Sequence, residues 1–166
     1  MAGVQLYLIR HAIAAERGDA YPDDSKRPLT QDGISRMRKQ AKGLNALGVT
    51  LDLIISSPLV RTRQTAEIVA DALDAKPDVI LSDALAPDGT ADAVIQALSK
   101  HAKKRALALV GHEPNVGELA ARMIGATRPL EFRKGGVCRI DFETLPPKGA
   151  GSLRYFLPPR LLRQLA

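Results

Sequence analysis

The chain has 166 residues, 45% of them hydrophobic, with a net charge of +6 and a pI near 9.7. That length fits a single domain spanning 1–166 around one core, and no apolar stretch approaches the roughly 20 residues that cross a bilayer. The lone cysteine, Cys138, excludes an internal disulfide framework, and an aromatic content of 4% argues against base stacking on nucleic acid.

Val4 to Ile9 is apolar apart from Gln5, the pattern of a strand covered on both faces. Residues 13 to 28 are polar and turn-rich and predict a loop. Thr30 is an N-cap with Asp32 in the first turn, and Ile34, Met37, Ala41 and Leu44 follow at helical spacing to a stop at Gly48. A second strand is expected over Leu51 to Ser56. Pro58 is expected in the first turn of the next helix, whose apolar face runs to Leu73. Val79 to Leu81 reads as a short strand, Asp88-Gly89 as a turn, Ala91 to Leu98 as a helix and Ala106 to Val110 as a fourth strand. Pro114 opens a helix carrying Val116, Leu119, Ala120, Met123 and Ile124. Val137 to Phe142 and Leu153 to Leu157 read as strands joined by the turn at Pro146 to Gly151, and Leu161, Leu162 and Leu165 as a short closing helix. Strand and helix alternate through Ile124. This predicts an α/β three-layer sandwich with a mostly parallel central sheet and an antiparallel edge strand.

Three motifs sit where apolar runs end: Arg10-His11, Ser57-Pro58-Leu59-Val60-Arg61 and Gly111-His112. The carboxyl ends of parallel strands line one crevice, where ligands bind. Two histidines and two arginines are therefore expected to converge from distant segments. A neutral imidazole has one lone pair able to attack phosphorus, while its other nitrogen is fixed by an acceptor. Arginine forks match phosphate oxygens in bidentate geometry. Arg10, Arg61 and Arg27 are the candidates, and His112, if protonated, adds donors. Arg63 lies about 200° from Arg61 around the helix and is expected to pair with Glu67 on the surface. His101, in Lys100-His101-Ala102-Lys103-Lys104-Arg105, is expected at a solvated helix end.

Rival chemistries fail on spacing. Val116 stands four residues after His112 and Pro114 interrupts, so this is no zincin motif. No Walker A lysine loop appears. Thr144 occupies the position, six after Cys138, where a cysteine phosphatase loop carries arginine. No clustered aspartates point to a metal phosphatase. The site is expected to work without metal or cofactor.

The joint pattern resembles the histidine phosphatase superfamily, the phosphoglycerate mutase-like fold, and within it the SixA-type phosphohistidine phosphatases. Leu8-Ile9-Arg10-His11-Ala12 is similar to the Arg-His-Gly signature, with Ala12 where glycine is usual. Arg27-Pro28-Leu29-Thr30 with Gly33, the run Ser56 to Ala66, and Gly111-His112-Glu113-Pro114 are similar to the other motifs. The resemblance implies that His11 is the phosphorylated nucleophile and that Arg10, Arg61 and His112 form the phosphate pocket. Arg27 becomes an added phosphate contact. Long members carry a glutamate general acid in an insertion for which this chain has no room. Glu113 and Asp83 are the substitutes to weigh; their plain readings are a first-turn helix acid and a turn residue.

The expectation that follows is a phosphatase acting through a covalent phosphohistidine, in the cytoplasm that one cysteine and no signal peptide suggest. Its substrate is expected to be phosphohistidine on a protein, such as a histidine phosphotransfer domain, whose leaving imidazole needs less protonation than an alkoxide. A small phosphorylated metabolite is the alternative substrate. A phosphate-binding module without catalysis is the alternative of another class. The basic balance suits anionic substrates or an acidic protein partner.

Overall fold

The computed structural model describes residues 3–166. Six strands form one sheet: β1 (Val4–Arg10), β2 (Leu53–Ser56), β3 (Asp78–Leu81), β4 (Ala106–Gly111), β5 (Val137–Phe142) and β6 (Ser152–Leu157). Their order is β3-β2-β4-β1-β5-β6. The first four pair parallel; β5 runs antiparallel to β1, and β6 antiparallel to β5. The helices are α1 (Gln31–Ala46), α2 (Val60–Ala72), α3 (Ala91–Leu98), α4 (Asn115–Ile124) and α5 (Pro159–Leu165). The mostly parallel sandwich with an antiparallel hairpin at one edge is the architecture that the alternation of elements predicts.

Side-chain alternation along β1 divides the core. Leu6 and Leu8 join Leu53, Ile55, Leu107 and Leu109, closed by Val94 and Leu98 of α3 and Leu119 and Met123 of α4. Tyr7 and Ile9 face the other way. They join Ile54, Ala108 and Val110, closed by Met37 and Leu44 of α1, Val69 of α2 and Leu162 of α5. Each buried Val, Leu, Ile or Met side chain among these is worth about 1.5–3 kcal/mol of transfer free energy, so the sheet is fixed from both faces. Register then gathers those ends: Arg10 lies opposite Gly111, and Ser56 opposite Val110.

Thr30 caps α1 as its sequence predicts, accepting from the Gly33 N–H. Pro58 departs from expectation. It lies two residues before the first helical residue, Val60, and Leu59 is the N-cap. The cause is local hydrogen bonding. Ser57 Oγ accepts from the Leu59 N–H at 3.3 Å, and the Thr62 hydroxyl donates to the Ser57 and Leu59 carbonyls. These bonds hold a turn at the exit of β2 and delay the helix. Arg61 remains in the first turn.

Candidate active site

His11 leaves β1 with its N–H donating to the Gly111 carbonyl at 3.1 Å, and His112 follows Gly111. Their rings lie 5.3 Å apart between centroids, inclined at 58°. Both side chains are buried. His11 Nδ1 sits 2.7 Å from the Ala12 carbonyl. A carbonyl only accepts, so Nδ1 carries the ring proton and Nε2 keeps the lone pair. Burial pushes this imidazole down to about 4; Arg61, Arg10 and Arg27 act in the same direction, and the Ala12 bond opposes them. Ala12 itself adopts no positive φ, so alanine is unstrained where the resembled signature has glycine.

His112 Nε2 lies 2.8 Å from Ser57 Oγ. Burial, then His11 and Arg61, push its pKa to about 3, so it is a neutral ring near pH 7 rather than a cation. Ser57 Oγ accepts from Leu59 N–H and has its own proton free to donate to His112 Nε2; in that arrangement the ring proton sits on Nδ1. His112 Nδ1 is buried and has no partner among the described residues.

Three guanidinium groups surround the imidazoles. Arg61, 2% exposed, donates from Nη1 to the Asp24 carbonyl at 2.9 Å and from Nη2 to Asp24 Oδ2 at 3.0 Å. Arg27 donates from Nε to Asp24 Oδ1 at 3.0 Å and from Nη1 to the Ala15 carbonyl at 2.7 Å. Arg10 donates from Nη1 to the Phe132 carbonyl at 2.7 Å. Asp24 sits in a single 3₁₀ turn, Asp24–Lys26. Burial alone raises its carboxyl, but hydrogen bonds from Arg27 and Arg61 outweigh this and hold it below the usual carboxylate range. The Nε atoms of Arg10 and Arg61, like His112 Nδ1, are buried without partners among the described residues. Unpaired buried donors cost about 1–3 kcal/mol each. An anion with several oxygens supplies what all three lack.

The structure thus brings together Arg10, His11, Arg27, Arg61 and His112. Asp83 is exposed in a 3₁₀ turn (Asp83–Leu85) after β3; Ala84 and Leu85 of that turn line a cavity with His112, but the Asp83 carboxylate makes no hydrogen bond or ion pair with the imidazoles or arginines among the described residues. Glu113 is adjacent in sequence to His112, yet its carboxylate is committed to backbone. Oε1 accepts from Gly117 N–H at 2.7 Å and Oε2 from Phe132 N–H at 3.2 Å. Arg63 points outward and meets Glu67 at 3.8 Å, as its helical position predicts.

Sequence reasoning missed Asp24, the Thr65 hydroxyl that accepts from Ala12 N–H at 3.1 Å, and the loop before β5. In that loop Gly135 N–H reaches both the Arg10 and His11 carbonyls at 3.1 Å. The i,i+3 spacing of Asp24 and Arg27 was the one signal for the first; nothing in sequence links the loop to residue 11. Among the described residues no three His, Cys, Asp or Glu side chains gather to hold a metal ion, and no helix is long and apolar enough to cross a membrane.

A lone-pair imidazole at the end of the first parallel strand, ringed by guanidinium groups, has the donors and charge that suit a phosphoryl group. Comparison with known proteins agrees. The model of the histidine phosphatase superfamily (branch 1) matches residues 6–86. The phosphohistidine phosphatase SixA of Escherichia coli K12 is 30% identical over 159 residues, 94% of each chain. An uncharacterized protein of Picosynechococcus is 41% identical over 138 residues, 81% of this chain and 82% of its own. The solved structure of the protein histidine phosphatase SixA complexed with tungstate superposes with a TM-score of 0.85 at 26% identity, over 96% of this chain and 99% of that one. The chain belongs to the histidine phosphatase superfamily, in its SixA-type branch, and is a phosphatase.

Proposed function

We propose that the protein removes phosphate from phosphohistidine on a protein, through a covalent intermediate on His11. The observation that carries this reading is the His11 Nδ1 bond to the Ala12 carbonyl, which leaves a neutral ring with its lone pair on Nε2. In the first step Nε2 attacks phosphorus. The phosphorus–nitrogen bond of the substrate breaks, and its imidazole, protonated on the distal nitrogen beforehand, leaves neutral. The His11 ring now carries the phosphoryl group on Nε2 and its original proton on Nδ1. In the second step water attacks phosphorus, the bond to Nε2 breaks, and dihydrogen phosphate leaves, shedding a proton to solvent. Nε2 regains its lone pair.

Arg10, Arg61 and His112 stabilise the equatorial oxygens through the donors that lack partners in the fold. Arg27 acts from one step further out, through Asp24. No general acid is assigned. Both oxygens of Glu113 are occupied by amides, and Asp83 makes no hydrogen bond or ion pair with the imidazoles or arginines among the described residues. An imidazole leaving group is compatible with that arrangement, which favours phosphohistidine over a phosphate ester of a small metabolite.

The test is a trapping experiment with a phosphohistidine protein, followed by an alkaline detergent quench. Wild type is expected to carry acid-labile, base-stable phosphate on residue 11. His11→Ala is expected to lose labelling and at least about a thousandfold in turnover while retaining its circular dichroism. Undiminished labelling of that variant would remove the nucleophile.

A further inference from the structure

A groove of about 940 Å³ opens beside the phosphate cradle, between α1, the loop before β5 and the start of α5. Its inner end is formed by Arg10 and Ala12, the neighbours of His11 in sequence. Arg10, Arg36, Arg133, Lys134, Arg160 and Arg163 line it, and no aspartate or glutamate does. Of these six, Arg36 alone has an ion-pair partner among the described residues, Asp32 at 3.0 Å. Arg163 is held by the amide oxygen of Gln40 at 2.8 Å. Arg133, Lys134 and Arg160 are exposed and free of carboxylates. Mutual repulsion among unpaired cations is a cost the fold carries without return unless something anionic meets them.

We infer that this groove docks an acidic segment of the protein that presents the phosphohistidine. The inference rests on the proposed substrate and adds to it a rule of recognition. Three features point to a polypeptide. The cations come from four separate segments and most stay in contact with water, so a small anion would engage only some of them and remain half solvated. Leu161 stands 45% exposed among them, beside Pro158 and Pro159, which gives an acidic chain an apolar contact within the charged field. No aromatic side chain lines the groove, so it offers no stacking platform to a nucleic acid. Because Arg10 belongs both to the groove and to the cradle, a segment lying here leads directly to the nucleophile.

The experiment uses the full chain and two phosphohistidine peptides, one flanked by glutamates and one by glutamines. Wild type is expected to prefer the glutamate peptide in kcat/KM by about tenfold at low salt, the preference shrinking as ionic strength rises. Lys134→Glu/Arg160→Glu is expected to reduce the preference to about twofold or less, with p-nitrophenyl phosphate turnover unchanged. The control is Lys103→Glu/Lys104→Glu, which makes the same change in net charge. It lies just before β4, at the other end of the strand from His112 and about 20 Å away at roughly 3.3 Å per residue. It is expected to keep the preference.

A second arm measures anisotropy of the unphosphorylated glutamate peptide and of an oligouridylate, so that docking is read without chemistry. If neither phosphohistidine peptide turns over, the substrate reading fails while this arm still decides the groove. Equal weakening in both double variants, no preference for glutamate, or tighter binding of the oligouridylate would overturn the inference.

Discussion

Asp24 grips Arg61 twice, through its carboxylate at 3.0 Å and its backbone carbonyl at 2.9 Å, across 37 positions of sequence. The same carboxylate holds Arg27. One acidic residue on a surface turn therefore orients two guanidinium groups of the cradle, and it sets a negative charge where an incoming phosphate meets Arg61. Those two effects oppose one another in anion binding.

Asp24→Asn separates them. The amide oxygen still accepts from one arginine, while the repulsion toward a bound anion disappears. Tungstate and inorganic phosphate are expected to inhibit the variant more tightly, by about three- to tenfold, and kcat is expected to fall because Arg61 loses part of its orientation. Inhibition constants measured in parallel at fixed ionic strength check this. An unchanged or weaker inhibition means that the carboxylate does not face the anion.

Acidity tests the buried imidazoles. His11 and His112 have folded pKa values of about 4 and about 3, below the unfolded value of about 6.5. Between those limits the unfolded chain binds protons that the folded one excludes, so stability rises with pH in that window. It is complete above about 6.5 and is lost as pH falls through 4 and then 3. Denaturant titrations of wild type and His112→Gln at several pH values isolate one ring. Wild type is expected to lose on the order of 1–3 kcal/mol more than the variant between pH 7 and pH 4. Parallel profiles would show that His112 titrates in the folded chain as it does in the unfolded one.

The strands and the residues at their ends were legible because burial on both faces leaves continuous apolar runs. Val4 to Ile9 and Ala106 to Val110 stop at the histidines they deliver, and a parallel sheet sets both at one end. The supports of the site were not legible. Asp24 acts through a turn with no periodicity, and its second partner is far along the chain. Phe132 and Gly135 act through backbone atoms, whose hydrogen bonds leave no mark on side-chain pattern. Pro58 misled because its fixed φ suits a first helical turn, while the Ser57 and Thr62 hydroxyls decided where the helix begins.

Gly135 makes that backbone support testable. Its φ is +84°, a left-handed conformation that favours glycine, and a Cβ there would collide with the Gln40 side-chain amide. Its N–H reaches the carbonyls of Arg10 and His11, the two that flank the His11 Cα. Gly135→Ala is expected to destabilise the fold by about 2–4 kcal/mol through strain and overpacking. Turnover per folded molecule is expected to fall as well, because the loop that steadies His11 moves. A thermal shift within error of wild type would show that the loop relaxes freely.

Glu113 is the residue on which a structural and a chemical role make opposite forecasts. A general acid supplies a proton to the leaving group, so its amide variant loses the alkaline limb of the pH–rate profile and most of kcat on an ester. A carboxylate that only ties α4 to the Phe132 loop loses one of two amide acceptors instead, since a glutamine side chain has a single oxygen. Its two bonds, 2.7 Å to Gly117 and 3.2 Å to Phe132, favour the second role. Phe132 in turn supplies the carbonyl that orients Arg10, so the effect reaches the cradle through position alone. Glu113→Gln is expected to cost about 1–2 kcal/mol of stability and to raise KM more than it lowers kcat, with the shape of the pH profile preserved on p-nitrophenyl phosphate. A profile that loses its alkaline limb would return the proton to Glu113.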